Sequence, residues 1–452
     1  MQKKTIEIKT DTTTATLVQR LGLFDVSMIV MGGIIGAGIF MNPHIVAQQI
    51  HTPFLILGAW VVVGLFALMG AFIYAELGAR LPKVGGQYAY IREAFHPLLA
   101  FLFGWTYLLV ADAGGLAASA ITFARYSIQL TGLPISETLF AVITLATLTA
   151  INCFGVRIGC TVQDFLMILK IAAVLFLILC GYFLISDSHF TLQPLTDRPI
   201  SMDLITAFGA AMVPVMFAYS GWQTSNFIAG EIRSPEKNLP RGLLIGVVVV
   251  IILYFAVNFI SIRALGADGL ANSPTPASSV MRLALGEIGA TIIAIGIAIS
   301  TLGYLSQSVL TAPRLYYAMA ADGLFFKSVA KIHPKTRVPV VAIILQGIIA
   351  SIITLSGTFE QILSYVVSND FIFFGLTAAC LFVFRRNQMT DGIDIKKKIM
   401  PGHPYTTSIF ITVCILMVIN TLYKYPVNSL IGLAIMFTGV PVYFLWKRSN
   451  TQ

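Results

Sequence analysis

The chain has 452 residues, of which 57% are hydrophobic and only 11% are charged. Because water-soluble domains carry about 25% charged residues, this composition excludes a soluble globular protein and is typical of a chain built for lipid. The net charge of +9 does not indicate a nucleic-acid partner, because most lysines and arginines stand in short connections between apolar segments.

Apolar segments long enough to cross a bilayer, which takes about 20 residues, recur along the whole chain. Twelve spans are predicted, at about 23–49, 54–79, 96–127, 137–155, 162–186, 203–229, 240–264, 288–320, 338–355, 360–384, 405–423 and 427–446. The sequence therefore predicts an all-α polytopic membrane protein. We expect an N-terminal tail at 1–20, a ten-helix core at 21–386, and helices 11 and 12 with a C-terminal tail at 387–452. The polar start lacks the apolar core of a cleaved signal peptide.

The orientation follows from the basic residues. With the N-terminus placed in the cytoplasm, 23 of the 29 lysines and arginines lie on the cytoplasmic side and five on the other. The positive-inside rule then predicts that both termini are cytoplasmic. The basic excess is thus a topology signal, and no nucleic-acid partner is expected.

The first span is interrupted by glycine. The stretch "MGGIIGAGIF", Met31 to Phe40, has four glycines in ten residues, and each glycine costs about 1 kcal/mol relative to alanine inside a helix. Gly32 and Gly36 are four residues apart, which fits the close crossing of two helices. The alternative interpretation is that the helix is broken here.

The sixth span carries a second interruption, from Pro214 through "VMFAYSGW" to Trp222. Proline removes a backbone donor and strains the preceding turn. Interruptions in the first span of each five-helix half, at about 21–187 and 203–386, favour an inverted repeat with broken helices 1 and 6 around a binding site. Unwound backbone in hydrocarbon needs polar partners. A zwitterionic amino acid offers a carboxylate for free amides at a helix N-terminus and an ammonium for free carbonyls.

One basic residue lies near the middle of a predicted span. Lys170 stands between "FLMIL" and "IAAVLFLIL", where a charge is costly and a functional role is the default hypothesis. Its side chain is long enough to reach the interruption of span one, as a proton-coupling group or as a fixed structural cation. The alternative is a lysine that extends to the membrane interface.

Two acidic residues lie away from the ends of predicted spans, Asp112 in span three and Asp370 in span ten. Intramembrane acids often face a binding cavity, where they attract a cationic side chain or carry protons. Equally, each acid bonds a polar neighbour, for example Asp370 with Asn369 or Ser368. The sequence leaves both interpretations open.

Charged residues also stand at the cytoplasmic ends of spans. Glu76 and Arg80 end span two, while Glu231 and Arg233 follow span six. They are candidates for an inner gate of salt bridges, or they are ordinary interfacial charges. Metal, cofactor and enzyme chemistry are not indicated.

The five cysteines and six histidines lack the spacing of a metal site. The glycine-rich stretch lacks the strand–turn–helix context of a nucleotide site, and no nucleophile and base are paired. The predicted outer loops contain no cysteine, so we expect no disulfide-linked heavy subunit.

Several separated motifs together identify a family resemblance over about residues 20 to 390. These motifs are "GGIIGAGIF", "YAELGARLPKVGGQYAYIREAF", "NCFGVRIGCTVQDFLMILK", "FAYSGWQTSNFIAGEIRSPEKNLPRG" and "PRLYYAMAADGLFF". The chain resembles the amino acid–polyamine–organocation superfamily, and most closely the L-type amino acid transporters. The resemblance implies a LeuT-type fold of two inverted repeats and, at the site of Lys170, a lysine that many members share.

The resemblance also implies which residues bind the substrate. Its carboxylate would meet the main-chain amides around Gly36, Ala37 and Gly38. The ammonium would meet the carbonyls of Ile34, Phe217 and Ser220. Tyr219 and Trp222 are further candidates for the lining of the site, because they stand beside the second interruption. Phe217 also resembles an aromatic gate. Two departures stand out, since many relatives have Ser or Thr at Ala37 and apolar or aromatic residues at Asn369 and Asp370.

The function implied is secondary amino-acid transport by alternating access. Exchange of neutral L-amino acids in a prokaryotic plasma membrane is the first expectation. Proton-coupled symport and cationic amino-acid or polyamine antiport are the alternatives. A sensor that binds amino acids without transporting them ranks below these, because it usually carries an added signalling domain.

Overall fold

The computed structural model describes residues 17–186, 191–356, 359–391, 399–424 and 426–449, so most of the predicted tail at 1–20 lies outside the described residues. The described chain is built from helices. They are α1 (Leu23–Ile34), α2 (Gly38–Gln49), α3 (Pro53–Arg80), α4 (Gln87–Ala94), α5 (Pro97–Thr106), α6 (Asp112–Thr131), α7 (Glu137–Cys153), α8 (Val156–Phe183), α9 (Met202–Tyr219), α10 (Pro235–Ala271), α11 (Pro276–Thr311), α12 (Pro313–Ala321), α13 (Val340–Ser356), α14 (Phe359–Asp391), α15 (Tyr405–Lys424) and α16 (Pro426–Ser449). A π-helical turn, Tyr107–Ala111, joins α5 to α6, and a 3-10 helix, Trp222–Glu231, follows α9.

These helices confirm a multi-pass membrane protein. Eight helical stretches in the described part of the chain are long and apolar enough to cross a bilayer, and α1 with α2 forms a ninth as a bent pair. Helices α7 and α13 are apolar but shorter, and α14 coincides with the predicted tenth span. The count of twelve spans and the relation between the two five-helix halves stay predictions.

The first span is broken where the glycines predict. Helix α1 ends at Ile34 and α2 begins at Gly38, with an angle of 41° between them. Ile35 is extended, with φ −74° and ψ 101°. The glycines before the break serve close packing, because a Cβ on Gly32 would lie 2.0 Å from the Gln163 side-chain nitrogen. Gly36, where a Cβ would meet nothing within 4 Å, does not serve packing, so the spacing of Gly32 and Gly36 does not mark a close helix crossing.

The second break differs from the prediction. Helix α9 continues through Pro214 and ends at Tyr219, so the prediction that the interruption begins at the proline was wrong. An interior proline removes a single donor, and the Pro214 carbonyl accepts a hydrogen bond from the Asn42 side chain at 2.7 Å. The chain turns instead at Gly221, whose φ is +105°. A Cβ there would lie 2.1 Å from the Gly33 carbonyl oxygen, so only glycine lets the two interrupted spans meet.

On the predicted cytoplasmic side, backbone hydrogen bonds join the start of the first broken span to the end of the second. Leu21 and Ile232 form an isolated β-bridge, and the Arg233 amide donates to the Leu21 carbonyl at 2.8 Å. The Glu231 carbonyl accepts from the amides of Arg20 and Leu21 at 2.9 and 3.0 Å. The start of α1 is thus fixed to the end of the 3-10 helix.

Candidate functional site

The first break presents free backbone donors. In the described chain, the amides of Ala37, Gly38 and Ile39 donate to no protein acceptor, because they begin α2 and have no preceding helical turn. Gly36, Ala37 and Gly38 are partly accessible, whereas the flanking Ile35 and Ile39 are fully buried. The helix dipole places partial positive charge at this point. The arrangement suits a carboxylate.

The carbonyls beside the breaks have protein partners of their own. The Tyr254 hydroxyl lies 3.0 Å from the Ile34 oxygen and 3.2 Å from the Ala218 oxygen, so it bridges the two broken spans. The Ser220 hydroxyl donates to the Phe217 oxygen at 2.8 Å. A carbonyl oxygen has two lone pairs, so Ile34 keeps capacity for one further donor, whereas Phe217 keeps none because it also accepts from the Ser220 amide at 3.3 Å. The carbonyl of Ser220 accepts no hydrogen bond from the described residues.

Lys170 is fully buried and points at the first break. Its ammonium donates to the carbonyl of Ile35 at 2.5 Å and to that of Gly32 at 3.1 Å. The side chain therefore does not extend to a membrane interface. It satisfies carbonyls that the end of α1 leaves without helical partners. A positive charge in the membrane is thereby held against unwound backbone.

Asp112 is a satisfied carboxylate. It follows the π-helical turn at the start of α6 and accepts hydrogen bonds from Ser308, from the Tyr316 hydroxyl at 3.0 Å and from the Gln346 amide at 2.7 Å. Of the two interpretations that the sequence left open, the geometry supports bonding to polar neighbours. Its three donors come from α11, α12 and α13, so the carboxylate joins four helices.

Asp370 has a different environment. Its carboxylate accepts no hydrogen bond and forms no ion pair in the described part of the chain, and its side chain is partly accessible. The side chain of Ser368, one predicted partner, lies outside the described residues. The hydroxyls of Tyr107 and Tyr304 lie within electrostatic range of Asp370.

The predicted aromatic residues separate into two kinds. Phe217 is 38% exposed, whereas Tyr219 and Trp222 are each 2% exposed. Trp222 stacks on Phe374 with ring centroids 5.6 Å apart. Tyr219, Trp222 and Ser220 line a cavity of about 20 Å³, which is room for about one water. Phe217 is not among the residues that line this cavity.

The charged residues on the predicted cytoplasmic side form two buried clusters. Glu76 accepts from Arg80 at 2.9 Å, from Arg385 at 2.8 and 2.7 Å, and from two backbone amides that follow the described α14. Glu231 pairs with Arg314 at 2.6 Å, and both side chains are 0% exposed. The prediction placed Arg233 beside Glu231, but Arg233 is exposed and the partner comes from α12.

Sequence reasoning missed Tyr254, Ser300, Arg314 and Arg385. The Ser300 hydroxyl donates to the Gly36 carbonyl at 3.1 Å. Arg314 and Arg385 carry a signal, since each basic residue ends an apolar segment. Tyr254 and Ser300 carry none, because a tyrosine or a serine in an apolar helix is usually a packing residue.

A Tyr254→Phe substitution tests the bridge between the broken spans. We expect the protein to fold and the apparent affinity for substrate to fall about tenfold, because a lost buried hydrogen bond costs about 1–3 kcal/mol. Substrate-induced thermal stabilisation of the purified protein measures this affinity. Tyr126→Phe is the matched control, since Tyr126 is only partly buried on α6. Equal affinity in the Tyr254 variant would contradict a role for the hydroxyl in shaping the site.

Comparison with known proteins gives a consistent result. The family model described as amino acid permease matches residues 21–446. The large neutral amino acids transporter small subunit 2 of Oryctolagus cuniculus is 33% identical over 441 residues, which cover 95% of this chain and 80% of that protein.

Two further relatives have different printed substrates. The human cystine/glutamate transporter is 30% identical over 429 residues, covering 92% of this chain and 83% of its own. The serine/threonine exchanger of Bacillus subtilis is 28% identical over 440 residues, covering 96% of this chain and 98% of its own. The family model extends over both broken spans.

Proposed function

Because the chain belongs to the amino acid permease family, whose members are membrane transporters and not enzymes, we propose that it exchanges amino acids across the membrane by alternating access. We place it in a plasma membrane with both termini in the cytoplasm. The observation that carries the proposal is the first break, where three unpaired amides of α2 stand beside partly accessible glycines. A substrate carboxylate supplies the acceptor that these amides lack.

The distribution of exposure supports alternating access. Residues Val26–Ile35 of the first span and Trp222–Ala229 of the second are buried. The Leu21–Ile232 bridge and the Glu231–Arg314 pair close the same side. Gly36 and Phe217 remain accessible. This burial supports a site that is closed toward the predicted cytoplasmic side, as one state of an alternating-access cycle requires.

The apolar wall supports neutral side chains as substrates. The cavity beside Ser220 has room for only about one water in this conformation, but Val63, Phe66, Phe371 and Phe374 give most of its wall an apolar character. Proton-coupled uptake is the second candidate, supported by the charged Lys170 at the break. The chain's cysteines are unpaired, four of them buried and Cys153 half-buried, which supports function without a disulfide-linked subunit.

Exchange is tested with the purified protein in liposomes. Labelled leucine uptake is measured into vesicles loaded with unlabelled leucine and into empty vesicles, with and without a pH gradient. We expect rapid uptake only into loaded vesicles. Equal uptake into empty vesicles under a pH gradient would replace exchange with proton coupling. No uptake of any member of an amino-acid panel would overturn the proposal.

A Gly36→Val substitution tests the binding role of the first break. A Cβ at Gly36 meets no protein atom within 4 Å, so the added side chain occupies only the space assigned to the substrate. We expect normal folding and a loss of binding of about 100-fold or more, since displacing the bound main chain removes at least about 2.7 kcal/mol. Gly58→Val on α3, where a Cβ also meets nothing within 4 Å, is the matched control. Unchanged affinity in the Gly36 variant would show that the site lies elsewhere.

A further inference from the structure

We infer that Asp370 forms a side-chain subsite for a cationic group, so that the site accepts amino acids with an ammonium side chain as well as neutral ones. The inference rests on the proposed function and names a substrate class for it. It is carried by the place of one carboxylate on α14 and by its lack of partners in the described chain.

Asp370 differs from three other acids in the interior, although Asp164 on α8 also has no arginine partner and has one buried oxygen without a donor. Glu76, Asp112 and Glu231 are each enclosed by two or more donors or by an arginine. In the described chain, Asp370 has neither. An uncompensated carboxylate away from bulk water is costly, and its lone pairs are available to a ligand because the side chain is partly accessible.

The helices around Asp370 carry residues that reach both breaks. Ser300 on α11 donates to the Gly36 carbonyl at 3.1 Å. Tyr304 follows four residues later, so it lies one turn away on the same face of α11, and it is within electrostatic range of Asp370. The next residues of α14, Phe371 and Phe374, line the cavity at Ser220. Asp370 thus stands on the helix whose following residues reach the second break, and beside the helix that binds the first.

Charge decides what this carboxylate recognises. Lys170, the basic residue at the break, already donates to two carbonyls. The hydroxyls near Asp370 can donate hydrogen bonds but cannot neutralise it. A substrate ammonium at the end of a four-carbon side chain supplies the opposite charge in a medium of low dielectric, where an ion pair is stronger than in water. A neutral side chain packs on the phenylalanines instead.

The test uses two probes that differ by one group, L-lysine and L-norleucine, which share a four-carbon side chain. Each competes with labelled leucine for exchange into leucine-loaded liposomes that contain the wild-type protein. We expect both to compete. In Asp370→Asn we expect the lysine-to-norleucine affinity ratio to fall about tenfold or more, and in Asp370→Glu to stay within about threefold of wild type. Asp268→Asn, an exposed aspartate on α10, is the matched control for surface charge.

The outcomes separate the two proposals. If the wild type exchanges leucine but lysine does not compete, the cationic subsite is refuted without any variant. The same holds if the lysine-to-norleucine ratio is equal in wild type, Asp370→Asn and Asp370→Glu. If neither leucine nor lysine is exchanged, the proposed function itself fails.

Discussion

Replacing Lys170 with methionine is expected to reduce exchange by about 100-fold or more while the protein still inserts and folds. Methionine keeps most of the side-chain volume but removes the ammonium that Gly32 and Ile35 share as a donor. Each hydrogen bond to a charged group contributes about 1.5–3 kcal/mol. The loss of two therefore costs at least about 3 kcal/mol, which corresponds to more than 100-fold. The substrate site is affected because these carbonyls fix the chain just before the amides of α2.

The measurement is leucine exchange in liposomes across a range of pH, with folding followed by size-exclusion chromatography. Lys237→Met, on the exposed surface of α10, is the matched control. Arginine is not expected to replace Lys170, because Gly303 already lies against it, with a Cβ position 2.5 Å from the lysine Cε. Transport that is unchanged in Lys170→Met at every pH would remove both the structural and the coupling role. A wild-type pH dependence that the variant loses would favour coupling over a fixed cation.

Breaking the buried pair on the N-terminal side is the second large effect. In Arg314→Met, the Glu231 carboxylate stays at 0% exposure without its 2.6 Å partner. Removing one member of a buried ion pair costs about 3–5 kcal/mol, because the other charge is left uncompensated. We expect a lower thermal midpoint of unfolding. We also expect slower exchange, because the backbone carbonyl of Glu231 binds the amides at the start of α1.

A surface pair provides the control. Arg282 and Glu287 pair at 2.7 Å but are 55% and 80% exposed, so Arg282→Met should change stability by about 1 kcal/mol or less. The double variant Glu231→Leu with Arg314→Met removes both buried charges. We expect it to recover most of the stability but not the exchange rate. Recovery of both would mean that the pair supports the fold and has no part in gating.

Much of the fold can be predicted from the local sequence. A helix that crosses lipid must pair every backbone group within itself, which takes a continuous apolar stretch. The described helices follow these stretches closely, including α3 and α10. The same constraint made Lys170 visible, because a charge inside an apolar segment has no ordinary explanation. The first break was visible because clustered glycines weaken a helix at "GGIIGAG".

The second break shows the limit of that reasoning. Pro214 is the stronger local signal, yet the helix passes through it and turns at Gly221, whose neighbour Gly33 lies in another span. Proline acts on its own turn, whereas the requirement for glycine at 221 arises from the approach of a distant backbone. A single sequence shows the proline and its local effect, but it does not show which distant backbone approaches residue 221.

Which side chains form hydrogen bonds and ion pairs with each other was decided by the tertiary structure alone. Tyr254 and Ile34 are 220 residues apart, and Glu231 and Arg314 are 83 apart. The sequence by itself determined that the chain crosses a membrane, that its first span breaks and that charges lie in its interior. It did not distinguish Asp112 from Asp370, since both are lone acids in apolar segments. Only the packing of α11, α12 and α13 around Asp112 gives that carboxylate three donors, while Asp370 has no donor among the described residues. Burial and hydrogen bonding depend on which helices meet, and apolar sequence specifies that a helix is embedded without specifying its neighbours.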